Sequence, residues 1–495
     1  MPRESAPVRW LAAAVSVAAL ALALTAAPAR AQKCTLGWDT PRWVDRPPSA
    51  CDHLAVAGRV AAPVAAGPLG RVWFAHQDGG AWQLASRAGN RVQDGPQLAL
   101  DGTPAAMVAG PDGALYVAGG RTVARWTGTG APQTFALPAP LASFAGAGGL
   151  PLAQMASGAG GVWVGVNGGL VKLDAGGVRS VLGTQRRPRG GLALGGDGAL
   201  WFSTGSALGR LDPRSNAVAY LGVSPAADGA VAAAPRGAGG IWYASRADGS
   251  VNVRSFSGDV TSYGVYGAPL GLVAGPGRYS VWASGGNGSR DWVARVATTG
   301  HPGGHPAGLP CAWAAPVSCG IGLRAGQAGD LAYFNSRAPV LGGLAFDSDD
   351  DVQFSQDGYL GRVMAFRGVV PCVHVQPMIG RYRASSCKDG RWSSFVTRRP
   401  VAYPRVSCLQ LTFGYCAGSV SLYYRRQLLG RGAFVIQGYD NPDARVAINQ
   451  AGYRLIRAHG HLHARAVIDS FDFGHLHRRT TWSIVLYPGD HQIDR

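Results

Sequence analysis

Short apolar segments, each with an aromatic residue near its middle, recur along most of the chain between glycine-rich turns. Apolar residues alternate with others in these segments, a pattern typical of β-strands. Gly-Asp-Gly or Gly-Gly precedes most copies and supplies the positive φ angles that a tight hairpin turn needs. Six copies align, at 70–75, 112–117, 160–164, 197–202, 239–243 and 277–282.

The spacing of the copies indicates how they pack. Their central aromatics are about 40 residues apart, which is the length of a four-stranded propeller blade. One blade cannot bury both of its faces, whereas a closed ring of blades can. We therefore predict an all-β chain with a seven-bladed β-propeller over 32–368, in which the aromatics pack between adjacent blades. The seventh copy is placed at 344–355 after an insertion at 301–339, and six blades is the alternative.

One copy carries a resemblance to a known family. The segment 195–213 resembles the repeat of the virginiamycin B lyase (streptogramin lyase) family, and looser similarity extends over about 52–368. The resemblance implies a seven-bladed propeller that opens cyclic depsipeptide antibiotics by elimination, with a bound Mg²⁺. It also implies acidic and histidine side chains near the ends of the aromatic strands, which usually read Trp-Phe-Thr-Glu.

The chain departs from that family at the strand ends. No acidic residue occupies the corresponding fourth positions, which are His76, Gly119, Val166, Thr204, Ser245, Gly285 and Gln356. Mg²⁺ prefers carboxylate oxygens, and Glu4 is the only glutamate in the chain. We therefore interpret the propeller as a binding or scaffold module. A lyase-like metal-assisted enzyme, or another small-molecule enzyme, is the alternative.

The polar strand-end residues are the candidate ligand-binding positions. We expect a ligand on the loop-rich face near the propeller axis. The candidate binding residues there are His76, Thr204, Ser245 and Gln356. His76 is also the candidate base if the protein is an enzyme, and a structural histidine is the alternative. The partner predicted for this face is a small molecule, a polysaccharide or a protein.

Two clusters could hold a metal ion. Asp347, Asp349 and Asp351 alternate as carboxylates do in Ca²⁺ loops, although a plain hairpin turn accounts for the same residues. His461 and His463 share a strand face opposite His475 and His477, and an exposed polar face is the preferred interpretation. We predict no cofactor, with Mg²⁺ or Ca²⁺ as the ion if these residues do bind one.

The N-terminus is typical of a signal peptide. An arginine-bearing start, an apolar run at 10–27 and the small residues Ala29 and Ala31 predict cleavage before Gln32. A retained membrane anchor is the alternative, and after cleavage we expect no membrane span. We therefore expect a secreted, extracellular or cell-surface protein.

All eight cysteines follow the predicted cleavage site. An even number in an exported chain favours disulfides over zinc ligation. The simplest pairing joins cysteines that are neighbours in the sequence, namely 34–51, 311–319, 372–387 and 408–416. Other connectivities stay open.

The segment 369–495 differs from the repeats. The helical spacing of Ala447, Ala451 and Leu455 predicts one short helix over 446–458. The segment resembles, over about 405–487, the small immunoglobulin-like β-sandwich tail of many exported actinobacterial proteins, which implies a spacer or adhesive module. It is also the most basic part of a chain with net charge +18, since it holds 17 Lys and Arg against 7 Asp. An anionic cell-wall polymer is therefore a candidate partner. No pattern for nucleic-acid binding is present.

Overall fold

A computed structural model describes residues 51–489 except 89–90, 159, 235–239, 266, 276–279, 287–290, 298–329, 335–339, 364–368, 372–384, 389–390, 398–399, 409–414, 438–443 and 473–476. The predicted signal peptide and the side chains of all eight cysteines lie outside the described residues, so the predicted cleavage and disulfides stay predictions.

Seven four-stranded antiparallel sheets follow one another along the chain as seven blades. This confirms the predicted all-β propeller and favours seven blades over six. The strands, in spatial order within each sheet, are Arg59–Ala66, Val72–Asp78, Ala81–Ala88 and Arg91–Gln97 in blade 1; Pro104–Ala109, Leu115–Gly119, Thr122–Trp126 and Gln133–Ala136 in blade 2; Met155–Gly158, Gly161–Val166, Gly169–Asp174 and Gly177–Gly183 in blade 3; Leu192–Leu194, Leu200–Ser203, Gly205–Leu211 and Val218–Ala227 in blade 4; Val231–Ala233, Gly240–Ser245, Ser250–Ser255 and Val260–Gly264 in blade 5; Ala268–Ala274, Ser280–Gly286, Asp291–Ala297 and Asp330–Phe334 in blade 6; and Val340–Phe346, Val352–Gln356, Tyr359–Val363 and Cys51–Ala55 in blade 7.

The first described strand of the chain closes the ring. Cys51–Ala55 pairs with Tyr359–Val363 and so becomes the outermost strand of blade 7. The first strands of successive blades contact one another around the ring and therefore line its axis. The predicted insertion at 301–339 includes the fourth strand of blade 6, because Asp330–Phe334 completes that sheet.

The repeated aromatics occupy equivalent places. Trp73, Trp163, Trp201 and Trp242 all lie on second strands, and all are 1–2% exposed. Each one pairs with an alanine of the first strand, namely Ala65, Ala156, Ala193 and Ala232. Trp201 packs with Ile241 and Tyr243 of the next blade. The aromatics therefore join adjacent blades, as the repeat predicts.

A second repeated contact lies beside these aromatics. In blade 4, Asp197 of the turn accepts hydrogen bonds from Trp201 Nε1 at 3.1 Å and Arg210 Nε at 2.9 Å. Blade 2 repeats the arrangement with Asp112, Tyr116 and Arg125. Gly198 closes the turn of blade 4 with φ +76°, in the left-handed region that the Gly-Asp-Gly pattern predicts.

The axis is narrow because the inner strands approach closely. A Cβ on Gly343 of blade 7 would stand 1.9 Å from the carbonyl oxygen of Ala62 in blade 1. Ser355 of the second strand of blade 7 donates to the same carbonyl and accepts from the Gly343 amide. Small residues on the inner strands therefore let neighbouring blades meet directly.

The C-terminal part is a sandwich-like all-β unit with one helix, in agreement with the predicted fold class. Its eight-stranded sheet contains, in spatial order, Ser385–Lys388, Arg391–Val396, Val401–Ala402, Val446–Ile448, Gln427–Gln437, Tyr415–Tyr424, Leu462–Asp472 and His477–Pro488. A parallel pairing between Arg391–Val396, the second strand of this order, and His477–Pro488, the last, closes the sheet on itself. Val369–Pro371 and Val406–Cys408 form a separate pair. The immunoglobulin-like resemblance stays a prediction.

The helix of this unit is shorter than the sequence predicts. It spans Gln450–His459, with Asn449 as the N-cap and Gly460 in the left-handed conformation at its end. Val446–Ile448 is a strand instead, because it pairs with Gly430 and Arg431. The helix therefore begins at Gln450, later than the start at 446 that the helical spacing of the apolar residues predicts.

Candidate functional site

The second strands of all blades end at one face of the ring, which we call the plugged face. The candidate binding residues lie at this end, in blades 1, 4, 5 and 7. Their side chains are engaged with the protein itself. Thr204 Oγ1 donates to the Ala207 carbonyl at 2.7 Å, and Ser245 Oγ donates to Asp248 at 2.5 Å. Gln356 is fully buried.

His76 lies where the ring closes. It belongs to the second strand of blade 1, not to an inner strand, and its side chain is buried. Nδ1 is 3.1 Å from the Ala57 carbonyl, in the segment that follows the closing strand, and Nε2 is 3.2 Å from Asp94. This geometry supports a structural histidine more than an axial base.

A short hairpin between blades 2 and 3 gives the plugged face its name. This axial hairpin comprises residues 141–153, with strands Phe144–Ala145 and Pro151–Leu152. Leu141 forms a bridge with Val166 at the end of a second strand, and the Ala142 amide donates to the Gly165 carbonyl. The hairpin is therefore fixed to the second-strand ends of blade 3.

The apolar side chains of the axial hairpin reach the centre of the ring. Phe144, Leu150 and Leu152 belong to one buried cluster with residues from blades 1, 5, 6 and 7. A Cβ on Gly342 of blade 7 would stand 2.6 Å from Leu152. Hydrophobic burial holds the hairpin there, and it fills the axis that an open propeller would offer as a pocket.

Gln154 follows the hairpin and joins three further blades. Its Oε1 accepts from the Leu192 amide of blade 4 at 3.1 Å and from the Val231 amide of blade 5 at 2.6 Å. Its Nε2 donates to the Leu272 carbonyl of blade 6 at 3.3 Å. One side chain from blade 3 thus satisfies inner-strand groups on the other side of the axis.

Arginines of blade 5 and of the segment before blade 4 lie beside the axial hairpin. Arg246 lies over the Phe144 ring at 5.0 Å and donates to the Ala145 carbonyl at 2.6 Å. A second basic segment, 186–189, leads into Gly190, where an added Cβ would stand 3.0 Å from Phe144. We call Arg186, Arg187, Arg189 and Arg246 the arginine rim.

Sequence reasoning missed this site. Neither the hairpin nor Gln154 belongs to the repeat, and the basic run at 186–189 is short. The signal available was the interval from Tyr116 to Trp163, which is the longest between successive aromatics and marks extra chain between blades 2 and 3.

The opposite face has a cleft of about 180 Å³ between blades 2 and 3, lined by Asp112, Tyr116, Asp174 and Arg179 among others. Burial alone would raise the pKa of Asp112, but hydrogen bonds from Arg125, the Ala114 amide and Tyr116 lower it below its ordinary value. Burial raises the pKa of Tyr116 to about 12. Asp174 pairs with Arg179. The charges of this cleft are therefore matched within the protein.

The aspartates of 347–351 bind groups of the protein. Asp347 Oδ1 accepts from the Asp349 and Asp351 amides, and its Oδ2 accepts from Gln353. Asp350 pairs with Arg478 of the C-terminal part at 2.5 Å. In the described part of the chain, no three His, Cys, Asp or Glu side chains converge as metal ligands would.

The histidines of the C-terminal part form a partial cluster. The rings of His461 and His463 are 5.6 Å apart, and His461 is 6.2 Å from Tyr487. His477 is 3.5 Å from Asp469 on the neighbouring strand, and His475 lies outside the described residues. His461, His463 and His477 are exposed, which agrees with the preferred interpretation of a polar face.

Comparison with known proteins finds similar solved structures but no matching family. No family model and no curated protein sequence matches the chain. A solved streptogramin B lyase is 14% identical over 63% of this chain and 96% of its own, with a TM-score of 0.45. A catalytically inactive virginiamycin B lyase from Staphylococcus aureus, solved with quinupristin, is 15% identical over 64% and 99%, with a TM-score of 0.46. The extracellular domain of a hybrid two-component system from B. thetaiotaomicron is 11% identical over 89% and 59%, with a TM-score of 0.41.

The fold rests on the sheets themselves. Seven four-stranded sheets follow one another, and the pairing of Cys51–Ala55 with Tyr359–Val363 closes the ring. The chain is a seven-bladed β-propeller followed by a sandwich-like β unit.

Proposed function

We propose that this protein is a binding or scaffold module of the extracellular space and that its ligand surface is the plugged face. The observation that carries the proposal is the axial hairpin. Ligand pockets of enzymes are concave and enclose most of a small substrate. Phe144, Leu150 and Leu152 fill the centre of this face instead, which leaves a broad surface suited to a large partner.

The chemistry of the strand ends supports the same proposal. Among the described residues, Thr204 and Ser245 use their hydroxyl groups within their own turns, and His76 binds the closing segment. A general base needs a free nitrogen or oxygen within reach of the substrate proton. These side chains therefore favour a structural role at the strand ends over the lyase-like alternative.

The proposed location rests on the N-terminal sequence. The apolar run at 10–27 and the small residues before Gln32 favour export. Within the described residues, no helix is long and apolar enough to cross a bilayer. The basic C-terminal part would act as a spacer or an attachment module.

The proposal is tested by locating a bound partner. The full mature chain is screened against an array of neutral and anionic surface polysaccharides, and amide hydrogen exchange is measured with each one that binds. We expect slower exchange at 141–154, 185–190 and 245–247. Protection confined to the turns of the opposite face, such as 111–113 and 195–198, would contradict the proposal.

The enzyme alternative has its own assay. The purified chain is incubated with cyclic depsipeptides and Mg²⁺, and the products are separated by chromatography and fragmented in a mass spectrometer. Elimination opens the ring without changing its mass, so the linear product is recognised by its retention time and by its fragments. We expect only the intact ring, at the retention time of the untreated peptide. Enzyme-dependent appearance of the opened product would replace the binding module with a lyase.

A further inference from the structure

We infer that the arginine rim of the plugged face binds a linear polymer carrying closely spaced oxyanions. The inference rests on the proposed function and names the class of its ligand. The arginines of the rim differ in their hydrogen-bond partners from three arginines of the opposite face.

Three arginines of the opposite face are paired with carboxylates. Arg125 pairs with Asp112 at 2.7 Å, Arg179 pairs with Asp174, and Arg210 pairs with Asp197 at 2.9 Å. A matched pair offers little net charge to a third partner. These arginines therefore stabilise turns and do not form an anion-binding surface.

The arginine rim is held by neutral groups. Arg186 Nη1 donates to Ser206 Oγ at 2.8 Å, and its guanidinium lies 5.6 Å from the Tyr220 ring centroid. Arg187 Nη2 donates to Asn167 Oδ1 at 2.6 Å. The Arg189 guanidinium has no hydrogen bond or ion pair to any residue that the structure describes.

Arg246 completes the rim at the axis. Its partners are the Ala145 carbonyl and the Phe144 ring, and its buried Nε has no hydrogen-bond partner. Asp228 accepts from the Arg246 backbone amide, and Asp248 is bound to Ser245. Within the described residues, no carboxylate lies within ion-pair distance of the four guanidinium groups.

This arrangement suits an oxyanion ligand of some length. Guanidinium groups bind phosphate and carboxylate oxygens through paired N–H donors. The neutral contacts fix Arg186, Arg187 and Arg246 in advance, and all four arginines keep their charge uncompensated by the described residues. The rim touches blades 3, 4 and 5 on one side of the filled axis. It therefore forms an open surface. A polymer can follow such a surface, whereas a small anion would need an enclosed pocket.

The test measures how affinity depends on salt. Long-chain inorganic polyphosphate and polygalacturonate serve as phosphate and carboxylate probes for the full mature chain. The variant carries R186Q, R187Q, R189Q and R246Q. Its control carries R91Q, R214Q, R426Q and R454Q, which removes four exposed arginines away from the rim, two of them in the C-terminal part. Thermal melts check that both variants fold.

Each oxyanion contact releases counterions and adds about 0.7 to the slope of log Kd against log salt for a single-stranded polyanion. We expect this slope to be smaller by about 3 for the rim variant than for the wild type. Raising the salt from 50 to 200 mM would then weaken binding of the wild type about 60-fold more than binding of the variant. The control should keep the wild-type slope. At equal charge, tighter binding of polyphosphate would identify phosphate as the oxyanion, and tighter binding of polygalacturonate would identify carboxylate.

A charge-preserving variant separates folding from recognition. Replacing the four rim arginines by lysine should keep the slope but weaken binding several-fold, because lysine cannot form the paired contact. Equal losses in the rim and control variants would overturn the inference and assign binding to overall charge. A neutral polysaccharide that protects the plugged face, with neither polyanion bound, would overturn the ligand class and leave the proposed function standing.

Discussion

At the scale of single residues, the aspartates of this propeller that lose contact with water are of two kinds. In the first kind, hydrogen-bond donors of the protein outweigh the effect of burial on the carboxylate, and in the second kind they do not. Asp197 illustrates the first kind, because hydrogen bonds from Trp201 and Arg210 outweigh its burial and lower its pKa. Asp291 illustrates the other kind. It begins the third strand of blade 6 and is 8% exposed, and burial raises its pKa although the Val340 amide offsets part of that effect.

Replacement of Asp291 by asparagine should stabilise the protein at pH 7. Since the folded-state pKa of Asp291 lies above the ordinary value of 3.8, its proton is held more tightly in the folded state. Stability therefore falls as the pH rises from that ordinary value through the folded-state pKa. We expect D291N to raise Tm by about 2 °C at pH 7, since about 1 kcal/mol corresponds to 2–4 °C in a domain of this size range.

Calorimetry from pH 3 to pH 8 checks this expectation. The matched control is D212N, because the exposed Asp212 has a pKa lowered by hydrogen bonds from the Arg214 amide and Ser215. Its replacement should change stability slightly in the opposite direction. A lower Tm for D291N at every pH would show that the charged carboxylate stabilises the fold.

At the scale of elements, the axial hairpin decides what the plugged face can do. Four-stranded blades alone would leave a channel lined by their inner strands. The hairpin between blades 2 and 3 closes it with apolar side chains, and Gln154 then bonds the inner strands of blades 4, 5 and 6. The hairpin and Gln154 together hold the arginine rim around a rigid centre.

Replacement of Gln154 by methionine should weaken the ring. The variant keeps the side-chain volume but leaves the Leu192 and Val231 amides without their acceptor, and a buried unpaired amide costs about 1–3 kcal/mol. We expect the free energy of unfolding to fall by at least about 2 kcal/mol. Urea denaturation measures the change.

The control for this prediction is Q97M, because Gln97 is exposed at the end of an outermost strand. It should leave the denaturation midpoint unchanged. An equal midpoint for Q154M and Q97M would mean that water replaces the Gln154 amide, and the axial network would then contribute little.

At the scale of the whole molecule, the ring closes by borrowing a strand from its own beginning. Cys51–Ala55 supplies the outermost strand of blade 7, while the other strands of that blade come from 340–363. Closure covers the open apolar sides that the end blades of a linear array would have, and it leaves only the short outer edges of the blades exposed. The pairing of these strands therefore holds the two ends of the propeller segment together.

A proline in the closing strand should open the ring. Adjacent strand residues point their amides to opposite sides, so only one of H53P and L54P removes a ladder hydrogen bond to Tyr359–Val363. That variant should unfold at a Tm at least about 5 °C lower, since a disruptive proline costs about 3 kcal/mol.

The other proline variant is the built-in control, because it places proline on the outer side of an edge strand. Hydrogen exchange at 359–363 should increase in the first variant and stay close to wild type in the second. Two variants with unchanged melting would show that the first strand does not secure the ring.

The sequence by itself determined the repeated part of this protein. The aromatic period, the glycine turns and the alternating strands predicted seven four-stranded units, and Trp73, Trp163, Trp201 and Trp242 occupy the equivalent places expected of them. Such features are local and are repeated, so that each copy confirms the others.

The tertiary structure alone decided the candidate site. The axial hairpin, Gln154 and Arg246 are far apart from their partners in the sequence, and Gln154 contacts Leu272 across 118 positions. No periodicity marks such a contact, because it exists only once the ring has closed and brought blade 3 opposite blade 6. The same closure engages Thr204, Ser245 and His76 with the protein itself and leaves the arginine rim with its charge unmatched.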